Sequence, residues 1–414
     1  MQRPGIFALT LPLLSGLLQG CGSDGVGPPD PITELPRDLT LAEEQLIGRS
    51  NTFGFDLLKE VDAAREASTP NTILSPLSAS MALGMALEGA DGQTFTAMKD
   101  ALRFQGLSRE EVNASYGGLL DILLELDPEV ELGIANSTWS REGFPFHAAY
   151  FDAVTANFDA EVQELDFNAP GAKDIINDWV NEKTNGRISE IIDVINPLDI
   201  LYLINAVYFK GSWITKFNTA DTYPGSFQLE SGESVSVPTM SAEEMPIRLG
   251  QVGGVQVGEL PYGGDAFAMV VVVPPFGAAI DELVDQLDDD TWAQWIGSTA
   301  KGNYSVHLPK FELEWDGMLK DALANMGMGP AFVPSADFSR MTPAADAYIS
   351  AVRQKTYMKV DEEGTVAAAV TSVTVGVTSA PAGLYVDRPF LVAIRERLTG
   401  TVLFLGVVRD PRGS

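Results

Sequence analysis

The sequence contains one cysteine, Cys21, and two histidines, His147 and His307. A single cysteine cannot form a disulfide within the chain, and it cannot supply a thiolate zinc cluster. The two histidines are far apart in the sequence, so we expect packing or surface positions for both rather than metal ligation or base catalysis. The patterns HExxH, GxSxG, GxxxxGK[ST] and GxGxxG before a helix are missing as well. The sequence therefore predicts no catalytic residue, no metal site and no cofactor.

Basic residues are also scarce, with 27 Lys and Arg against 57 Asp and Glu and a formal net charge of −30. Because contacts to phosphate groups need clustered Lys and Arg, this composition argues against a nucleic-acid partner. We attribute the negative charge to solubility. Hydrophobic residues make up 45% of the 414 positions, which is typical of a protein with a large core.

The N-terminal run from Pro4 to Gly20 carries no charge. It is short and interrupted for a membrane span, and it ends in small residues, as export signals do. The LQGC that ends at Cys21 resembles the lipobox of bacterial lipoproteins, in which the signal is cut before an acylated cysteine, although Gln19 is a less usual residue there. We therefore expect residues 1–20 to be a signal peptide. The mature protein would be exported and anchored at the bacterial cell envelope by lipid on Cys21, with no other membrane contact. The alternative, a buried N-terminal strand, is not favoured by an uncharged run directly after Met-Gln-Arg.

Residues 21–40 are rich in Gly, Pro and Asp and predict a flexible tether. We find no repeat and no second linker over 41–410, so the sequence predicts one large domain with a short tail at 411–414. Hydrophobic periodicity predicts helices over 41–66, 76–89, 93–103, 109–125, 147–156, 171–183, 281–296 and 317–327. Strand patterns cover 131–140, 201–213, 255–262, 266–275, 303–315, 348–361, 390–397 and 401–408. Helices dominate early and strands dominate late without βα alternation, which indicates an α+β fold.

A series of motifs over residues 41–410 occurs in the order found in one protein family, the serpins. The segments that resemble serpin motifs are NTILSPLSASMALGMALEGADGQTF (71–95), INDWVNEKTNGRISEII (176–192), LINAVYFKGSWITKF (203–217), LPYGGDAFAMVVVVPP (260–275), LPKFELE (308–314), PSADFS (334–339) and RPFLVAIRERLTGTVLFLGVV (388–408). The resemblance implies about eight or nine helices packed around three β-sheets, with an exposed reactive loop near the C-terminus. It also implies a protease inhibitor rather than an enzyme.

The stretch from Gly364 to Val386 carries no charge and follows three acidic residues. Its start, DEEGTVAAAVT, resembles the serpin hinge, where a reactive loop leaves the main sheet. In that family the acyl-side residue of the scissile bond follows the hinge glycine by 14 positions, which gives Thr378, and the family's Pro-Phe ends 12 positions later, at Phe390. Both anchors place the reactive bond at Thr378–Ser379, to within one residue. The resemblance assigns the hinge to Glu363, Gly364, Thr365, Val366, Ala367, Ala368 and Ala369.

Alternate residues of this stretch suit a strand that packs one face on a core. The positions counted by twos are all small or β-branched and uncharged: Thr365, Ala367, Ala369, Thr371, Val373 and Val375. A charge on that face would be costly to bury. By resemblance, a protease attacks Thr378 and forms an acyl-enzyme, and the loop then inserts into the main sheet before deacylation. The expected partner is thus a serine protease in a covalent acyl complex, and we expect the inhibitor itself to be a monomer.

Five residues resemble those that control the opening of the main sheet in serpins: Ser75, Ser78, Asn205, Trp213 and Gln354. Gln354 stands where many serpins have a histidine that bonds to the Asn and the Ser beneath the sheet. A glutamine amide both donates and accepts, so it could replace that histidine. Val366 and Val370 also depart from the family pattern, which often has Glu and a small residue there, but both would face outward after insertion.

The residues before the reactive bond indicate the target class. Val377 and Thr378 are small or β-branched, and no Lys or Arg occurs from Gly364 to Val386. A trypsin-like pocket would have no cation to bind, so an elastase-like or subtilisin-like serine protease is expected, and a cysteine protease stays open. The alternatives are a non-inhibitory serpin that acts as a binding or carrier protein, and a hydrolase, for which no nucleophile–base pair is found. A membrane span or an ordinary buried strand at 364–386 is not favoured, because of Pro381 and the glycines.

Overall fold

The helices come mainly from the first half of the chain. The computed structural model describes residues 31–66, 68–365 and 382–413. Within these residues there are nine α-helices: α1 (Leu41–Ala63), α2 (Pro76–Gly89), α3 (Gly92–Ala101), α4 (Arg109–Glu125), α5 (Ala148–Phe158), α6 (Ala172–Lys183), α7 (Ile280–Asp285), α8 (Asp289–Gly297) and α9 (Lys320–Leu323). The same residues contain a π-helical turn at Ala324–Met328 and short 3-10 turns at Thr219–Asp221 and Gly329–Phe332.

Side-chain caps explain where several helices begin. The Thr40 hydroxyl accepts a hydrogen bond from the Glu43 backbone N–H, and the Glu43 carboxylate accepts one from the Thr40 N–H. Ser108 and Glu111 form the same reciprocal pair before α4. Each pair satisfies N–H groups that the first turn of a helix leaves without partners. Ser75 caps α2, and a proline follows at the first helical position, where its missing N–H costs nothing.

The strands form three sheets in the part of the chain that the structure describes. They are β1 (Thr72–Leu74), β2 (Val130–Arg141), β3 (Ala160–Leu165), β4 (Leu201–Ser212), β5 (Tyr223–Gln228), β6 (Ser234–Val252), β7 (Val255–Tyr262), β8 (Phe267–Val273), β9 (Ala300–Pro309), β10 (Phe311–Met318), β11 (Arg353–Val360), β12 (Gly364–Thr365), β13 (Gly383–Tyr385), β14 (Phe390–Glu396) and β15 (Val402–Val408). The large sheet has the order β1-β15-β14-β8-β7-β6-β9-β13, and β5 pairs with β6. A four-stranded sheet has the order β12-β4-β2-β3, and β10 and β11 form a separate antiparallel pair.

The four-stranded sheet and the β10–β11 pair face each other across a gap. Strand β4 pairs with β2 along one edge, and among the described residues its other edge pairs only with the two residues of β12. Strand β11 pairs with β10, and no other strand in the described part of the chain pairs with it. Side chains of β4 and β11 line one small cavity, so the two strands are neighbours, but no ladder of hydrogen bonds joins them within residues 31–66, 68–365 and 382–413. Below β12, the facing edges of β4 and β11 are therefore unpaired in the part of the chain that the structure describes.

Two hydrophobic clusters hold these layers together. The main cluster joins the large sheet to α1, α2, α4 and α5, and it includes the fully buried Phe53, Tyr116 and Phe267. The second cluster lies between α6 and the outer face of the four-stranded sheet, where Trp139 and Trp179 meet edge to face at 6.2 Å. The gap beside β4 therefore has a core on its inner side and α6 on its outer side. Among the described residues, none of the helices is both long and apolar enough to span a bilayer.

Residues 31–40, the second half of the predicted tether, contact the domain. The Ile32 N–H donates to the Gly264 carbonyl at 2.7 Å, and Ile32, Leu35 and Leu39 pack against the main cluster. Arg37 donates to both oxygens of the Glu43 carboxylate at 2.7 and 2.8 Å and holds the pKa of that carboxyl below its ordinary value. The ordered body of the domain thus reaches back to Ile32. The tether stays a prediction for residues 21–30, which lie outside the described residues, as does Cys21.

The α+β class with the helices and sheets of the serpin fold is confirmed, but several element predictions need correction. The helix predicted over 281–296 is two helices, because Asp288 caps α8 by accepting from the Thr291 N–H. The strand predicted over 303–315 is divided after Pro309, and the helix predicted over 317–327 shortens to α9 followed by a π-helical turn. The predicted strand 348–361 begins only at Arg353. Six strands have no counterpart among the predicted strand patterns: β1, β3, β5, β6, β12 and β13.

A buried ion-pair network fixes the C-terminus to α1. Arg409 is 2% exposed and donates to both oxygens of Asp62, each at 2.7 Å. It also contacts Asp281 on α7 and donates to Glu230 at 3.0 Å. Burial alone would lower the pKa of Arg409, but the bonds to Asp62 and Asp281 outweigh it and raise the pKa. The network joins four parts of the chain that are distant in sequence.

Replacing Arg409 by Met should destabilise the protein by about 3–5 kcal/mol, because the buried Asp62 carboxylate would lose its charge partner. The free energy of unfolding, measured in urea at pH 7, checks this. Arg412→Met is the matched control, since Arg412 pairs with Asp410 at the surface. If the two substitutions lower the free energy of unfolding equally, the burial of the Arg409–Asp62 pair is not what makes it important.

Candidate functional site

The chain enters the top of the gap directly after β11. Residues Asp361–Gly364 form a tight turn, in which the Asp361 N–H donates to the Gly364 carbonyl at 3.0 Å and the Gly364 N–H donates back at 3.2 Å. Gly364 and Thr365 then pair with Ser212 and Gly211 on β4 in an antiparallel register. The second and third residues of the predicted hinge are thus already the start of a strand on the edge of β4.

This turn requires glycine at two positions. Gly364 has φ of 141°, and a Cβ there would lie 2.1 Å from the Gly211 carbonyl oxygen. L-residues with side chains rarely adopt that backbone angle, so both conformation and space exclude a side chain. At Gly211 a Cβ would lie 2.9 Å from the Tyr262 ring. Glycine at both positions lets the turn lie flat against an aromatic layer.

Trp213 and Tyr262 form that aromatic layer beneath the hinge. Their rings stack with centroids 4.4 Å apart and an interplanar angle of 11°. The Trp213 Nε1–H donates to the Asp361 carbonyl at 2.9 Å, and the Tyr262 hydroxyl lies 2.8 Å from the Thr365 hydroxyl. Burial raises the pKa of Tyr262 well above its ordinary value, which keeps the hydroxyl protonated. Each ring therefore holds one side of the turn in place.

Two buried carboxylates complete the top of the gap. Glu362 and Glu363 are each 5% exposed. Lys310 lies 2.7 Å from Glu362, and the Thr222 hydroxyl donates to the same carboxylate at 2.6 Å. Lys216 lies 2.6 Å from Glu363. Burial alone would raise the pKa of Glu362, but the bonds from Lys310 and Thr222 outweigh it and lower the pKa.

Ser75, Ser78 and Gln354 meet behind the middle of the gap. Gln354 on β11 accepts from the Ser75 N–H at 3.0 Å and donates to the Ser75 carbonyl at 2.9 Å. The Ser75 hydroxyl donates to the Leu403 carbonyl at 2.7 Å and accepts from the Ser78 N–H at 3.4 Å. Gln354 thus ties β11 to the start of α2 through the backbone of Ser75.

Asn205 lies on the inner face of β4 and does not hydrogen-bond to Gln354. Its Nδ2 donates to the Asn136 Oδ1 at 2.7 Å and lies 3.9 Å from the Met81 sulfur. Its Oδ1 is buried and has no hydrogen-bond partner among the described residues. A buried acceptor without a donor costs free energy, so the described residues alone leave this position incompletely satisfied.

The structure brings the predicted site residues into two groups. Glu363, Gly364, Thr365 and Trp213 meet at the top of the gap, and the pair Ser75–Gln354 lies near its middle. The remaining predicted positions lie outside the described residues: Val366, Ala367, Ala368, Ala369, Thr378 and Ser379.

Sequence reasoning missed the polar and aromatic partners of the hinge, which are Lys216, Thr222, Tyr262, Lys310 and Glu362. The acidic run before Gly364 is the one local signal that could have indicated buried cationic partners there. The histidines lie elsewhere. His147 precedes α5, and His307 on β9 stacks on Tyr385 with centroids 4.9 Å apart.

Comparisons with known proteins identify the family. The family model described as "Serpin (serine protease inhibitor)" matches residues 49–411. A serpin-like protein of Thermococcus kodakarensis is 34% identical over 382 residues, covering 89% of this chain and 87% of the relative. Human Serpin B11 is 30% identical and covers 87% of this chain and 97% of the relative. The chain therefore belongs to the serpin family, whose members are in general protease inhibitors rather than enzymes.

Solved structures agree with this assignment. The thermophilic serpin tengpin in its native state has a TM-score of 0.80 and 29% identity, and the match covers 92% of this chain and 97% of that chain. Thyroxine-binding globulin in complex with thyroxine has a TM-score of 0.80 and 27% identity, with coverage of 89% and 99%. The fold is thus shared by proteins with different activities.

Replacing Glu362 by Gln should lower stability at pH 7 by about 1–3 kcal/mol, because the ion pair with Lys310 is lost. The pKa of Glu362 is lowered on folding. Its contribution is therefore fully present above the ordinary glutamate pKa of about 4.3 and is lost as the pH falls through the lower folded-state value. Unfolding free energies of both proteins should converge in acid.

Glu282→Gln, at an exposed position of α7, is the control and should change stability little at any pH. If the free energies of unfolding of the wild type and Glu362→Gln differ by the same amount down to pH 2, the ion pair is not the cause of the difference.

Proposed function

We propose that this serpin is a suicide inhibitor of serine proteases with the reactive bond Thr378–Ser379. The observation that carries the proposal is the two-residue ladder of Gly364 and Thr365 on β4, at the top of a gap whose other edge, β11, has no partner on that side among the described residues. A chain that already pairs its hinge in the gap needs only a free end to continue pairing.

The sequence beyond the hinge suits such an extension. If the ladder on β4 continued in the same register, Ala367 would lie opposite Phe209 and Ala369 opposite Val207. Phe209 and Val207 are buried on the inner face of β4. Small alanines beside large core residues can insert without displacing them, and no charge would be buried.

The same register would place Thr371 opposite Asn205. Directly opposite residues on one face of a sheet have Cβ atoms about 4.5–5.5 Å apart, within hydrogen-bonding reach of their side chains. The Thr371 hydroxyl could then donate to the Asn205 Oδ1, which has no hydrogen-bond partner within the described part of the chain. Insertion would thus satisfy a buried acceptor as well as the strand edges.

The free energy available from insertion is large. Ten or more backbone hydrogen bonds at roughly 1 kcal/mol net each, with Val and Thr side chains at about 1–2 kcal/mol apiece, give a gain on the order of 10–20 kcal/mol. The intact loop cannot complete this ladder because its ends are held at β12 and at β13, which pairs with β9. Cleavage between them releases one end.

The reaction with the protease then proceeds by known chemistry of acyl transfer. The protease serine attacks the Thr378 carbonyl, the bond to Ser379 breaks, and the Ser379 amine leaves with a proton from the protease histidine. An ester now joins Thr378 to the protease. If the loop inserts before water reaches the ester, the attached protease is pulled along and its oxyanion hole loses the geometry that deacylation needs. The inhibitor itself supplies no catalytic group.

The target class follows from the residues before the reactive bond. Val377 and Thr378 fit a small or shallow pocket, and the absence of Lys and Arg from Gly364 to Val386 disfavours trypsin-like enzymes. We assign the inhibitor to elastase-like or subtilisin-like proteases.

The location of the protein is part of the same proposal. The uncharged N-terminal run and the LQGC motif support export and lipid attachment at Cys21. Residues 21–30 would then separate the domain from the bacterial envelope by a short, flexible segment. Such an anchor would place a monomeric inhibitor where stray or foreign proteases meet the envelope.

A carrier function is the second candidate, and one observation favours it. A cleft of about 310 Å³ lies beside the large sheet, with apolar walls that include Ile214, Pro246 and Pro261 and with the basic residues Arg248 and Arg397 at its side. Thyroxine-binding globulin, which has the same fold, was solved with thyroxine. The uncharged hinge favours the inhibitor, because a carrier does not need a loop that can be buried.

Incubation with an elastase-like protease should yield a complex that survives SDS and heat, with a mass equal to the protease plus the chain up to Thr378. Thr378→Arg should transfer complex formation to a trypsin-like protease. Ala367→Arg should be cut at the same bond without trapping, because Arg would have to be buried beside Phe209. Cleavage of the wild type with full recovery of protease activity would overturn inhibition and leave the carrier function.

Cleavage at Thr378–Ser379 should also raise the melting temperature of the protein. In Thr371→Val the cut form should lose about 1–3 kcal/mol of this gain, because the Asn205 Oδ1 would remain without a donor. Thr374→Val is the matched control, since Thr374 has the opposite parity and would face outward. A cut form that melts no higher than the intact one would exclude insertion, and equal melting of the two cut variants would exclude the Thr371–Asn205 pair.

A further inference from the structure

The segment that follows α6 crosses the outer face of the gap. Thr184, Arg187 and Ile188 of this segment line a cavity of about 20 Å³ together with Tyr208 of β4 and Tyr357 of β11. Thr365, the last described residue before residue 366, lines the same cavity. The cavity therefore marks the place that the chain would enter next if β12 were extended.

Arg187, in the segment that follows α6, makes the contact that reaches from that segment to β11. Its guanidinium lies over the Tyr357 ring, 5.5 Å from the centroid. The Tyr357 hydroxyl donates to Glu312 on β10 at 2.8 Å, which fixes the ring on the β10–β11 side. The Arg187 Nε is buried and has no hydrogen-bond partner among the described residues. The contact with the Tyr357 ring therefore orients the Arg187 side chain across the gap, since its Nε makes no hydrogen bond to the described residues.

Helix α6 itself is attached to the β4 side of the gap. Ile176, Trp179 and Val180 belong to the cluster on the outer face of the four-stranded sheet, with Trp139 and Ile204. When the gap widens, α6 therefore stays with β4, and the Arg187–Tyr357 contact must break. A second contact joins the segment after α6 to β11. It is the ion pair of Arg353 with Asp193 at 2.6 Å, at the opposite end of β11.

The position of Arg187 makes it the first obstacle to insertion. Thr365 pairs with Gly211, and Tyr208 is three residues farther along β4, or about 10 Å at 3.3 Å per residue. The contact that closes the gap at Tyr208 must therefore open near the beginning of the process. Contacts nearer the bottom of β11 matter only after most of the strand is in place.

We infer that Arg187 is a positioning residue that holds the outer side of the gap closed and thereby sets the rate of loop insertion. The inference rests on the proposed function, because that rate decides between two outcomes for the acylated protease. Fast insertion traps the protease, whereas slow insertion lets water release it and leaves a cut inhibitor. Arg187 does not touch the reactive bond, so it should affect this partition and not the attack on Thr378.

The test that needs no protease uses a synthetic 14-residue peptide with the sequence of residues 364–377, added to the intact protein. Arg187→Ala should accelerate its incorporation, followed on native gels, by roughly two- to fivefold, the effect expected for one partly exposed cation–π contact. Arg187→Lys keeps a cation over the ring and should restore the wild-type rate. Tyr357→Leu should accelerate it as Arg187→Ala does, and the double variant should gain nothing further.

Lys173→Ala is the matched control. Lys173 ties α6 to Glu190 in the segment that follows, at 3.0 Å, but it does not reach β11. The Lys173→Ala variant should incorporate the peptide at the wild-type rate. Equal rates for Arg187→Ala and Lys173→Ala, or no incorporation in any variant, would overturn the inference.

The protease readout separates this inference from the proposed function. If the wild type traps an elastase-like protease, Arg187→Ala should need fewer inhibitor molecules per trapped protease, with an unchanged rate of association. If the wild type traps no protease but Arg187→Ala still accelerates peptide incorporation, the inhibitor function fails and the role of Arg187 in closing the gap stands. If the wild type traps the protease but Arg187→Ala needs as many inhibitor molecules per trapped protease as the wild type, the inference about Arg187 is overturned and the inhibitor function stands.

Discussion

Two strand edges inside one protein, those of β4 and β11, face each other without forming a ladder, and the rest of the structure is arranged around them. Strand edges with free N–H and C=O groups bind other strands readily, which is why proteins normally cover or pair them. Here the inner side is closed by the core and the outer side by α6. The edges are thus covered on both faces, and at one end Gly364 and Thr365 of the protein's own chain pair with β4.

The strength of the contacts differs along the gap in a way that suits this arrangement. At the top, the turn is held by ion pairs to Glu362 and Glu363 and by the stacked rings of Trp213 and Tyr262. In the middle, the buried Asn205 Oδ1 has no donor among the residues that the structure describes, and Gln354 bonds to the backbone of Ser75. Because the turn at the top is firmly held, insertion would always start there. Because a buried acceptor in the middle lacks a donor among the described residues, pairing farther along β4 would lower the free energy. The stability needed elsewhere comes from separate contacts such as Arg409 with Asp62.

Much of this could be predicted from the sequence, for reasons that are local. Helices such as α1, α2 and α4 have caps at Thr40, Ser75 and Ser108 next to periodic hydrophobic residues. Strand β6 was missed because its alternating start, Ser234–Val237, is short and is followed by Pro238 and by a bulge between Ala242 and Met245. The break between α7 and α8 was missed because a capping Asp288 and an exposed aspartate look the same in a sequence.

The site divides in the same way. Gly364 and Trp213 were found because their motifs are local, and the parity of Thr365 predicted the inward face on which its hydroxyl meets Tyr262. Lys216 and Lys310 could not be found, since each is distant in sequence from the carboxylate that it binds. Long-range pairs of this kind depend on the fold and not on any short pattern.

The acidic composition gives a final reason why these pairs matter. With a net charge of −30, the average environment of a carboxylate in this chain is repulsive, yet Glu362 and Glu363 are buried side by side before an uncharged run of 23 residues. Without Lys310 and Lys216 the two carboxylates would gain by moving into water, which would draw the turn out of the gap. The two lysines therefore do more than stabilise the fold. By holding the two carboxylates of the turn after β11 inside, they direct Gly364 and Thr365 along β4, so that the uncharged segment and not the acidic one begins at the edge of that strand.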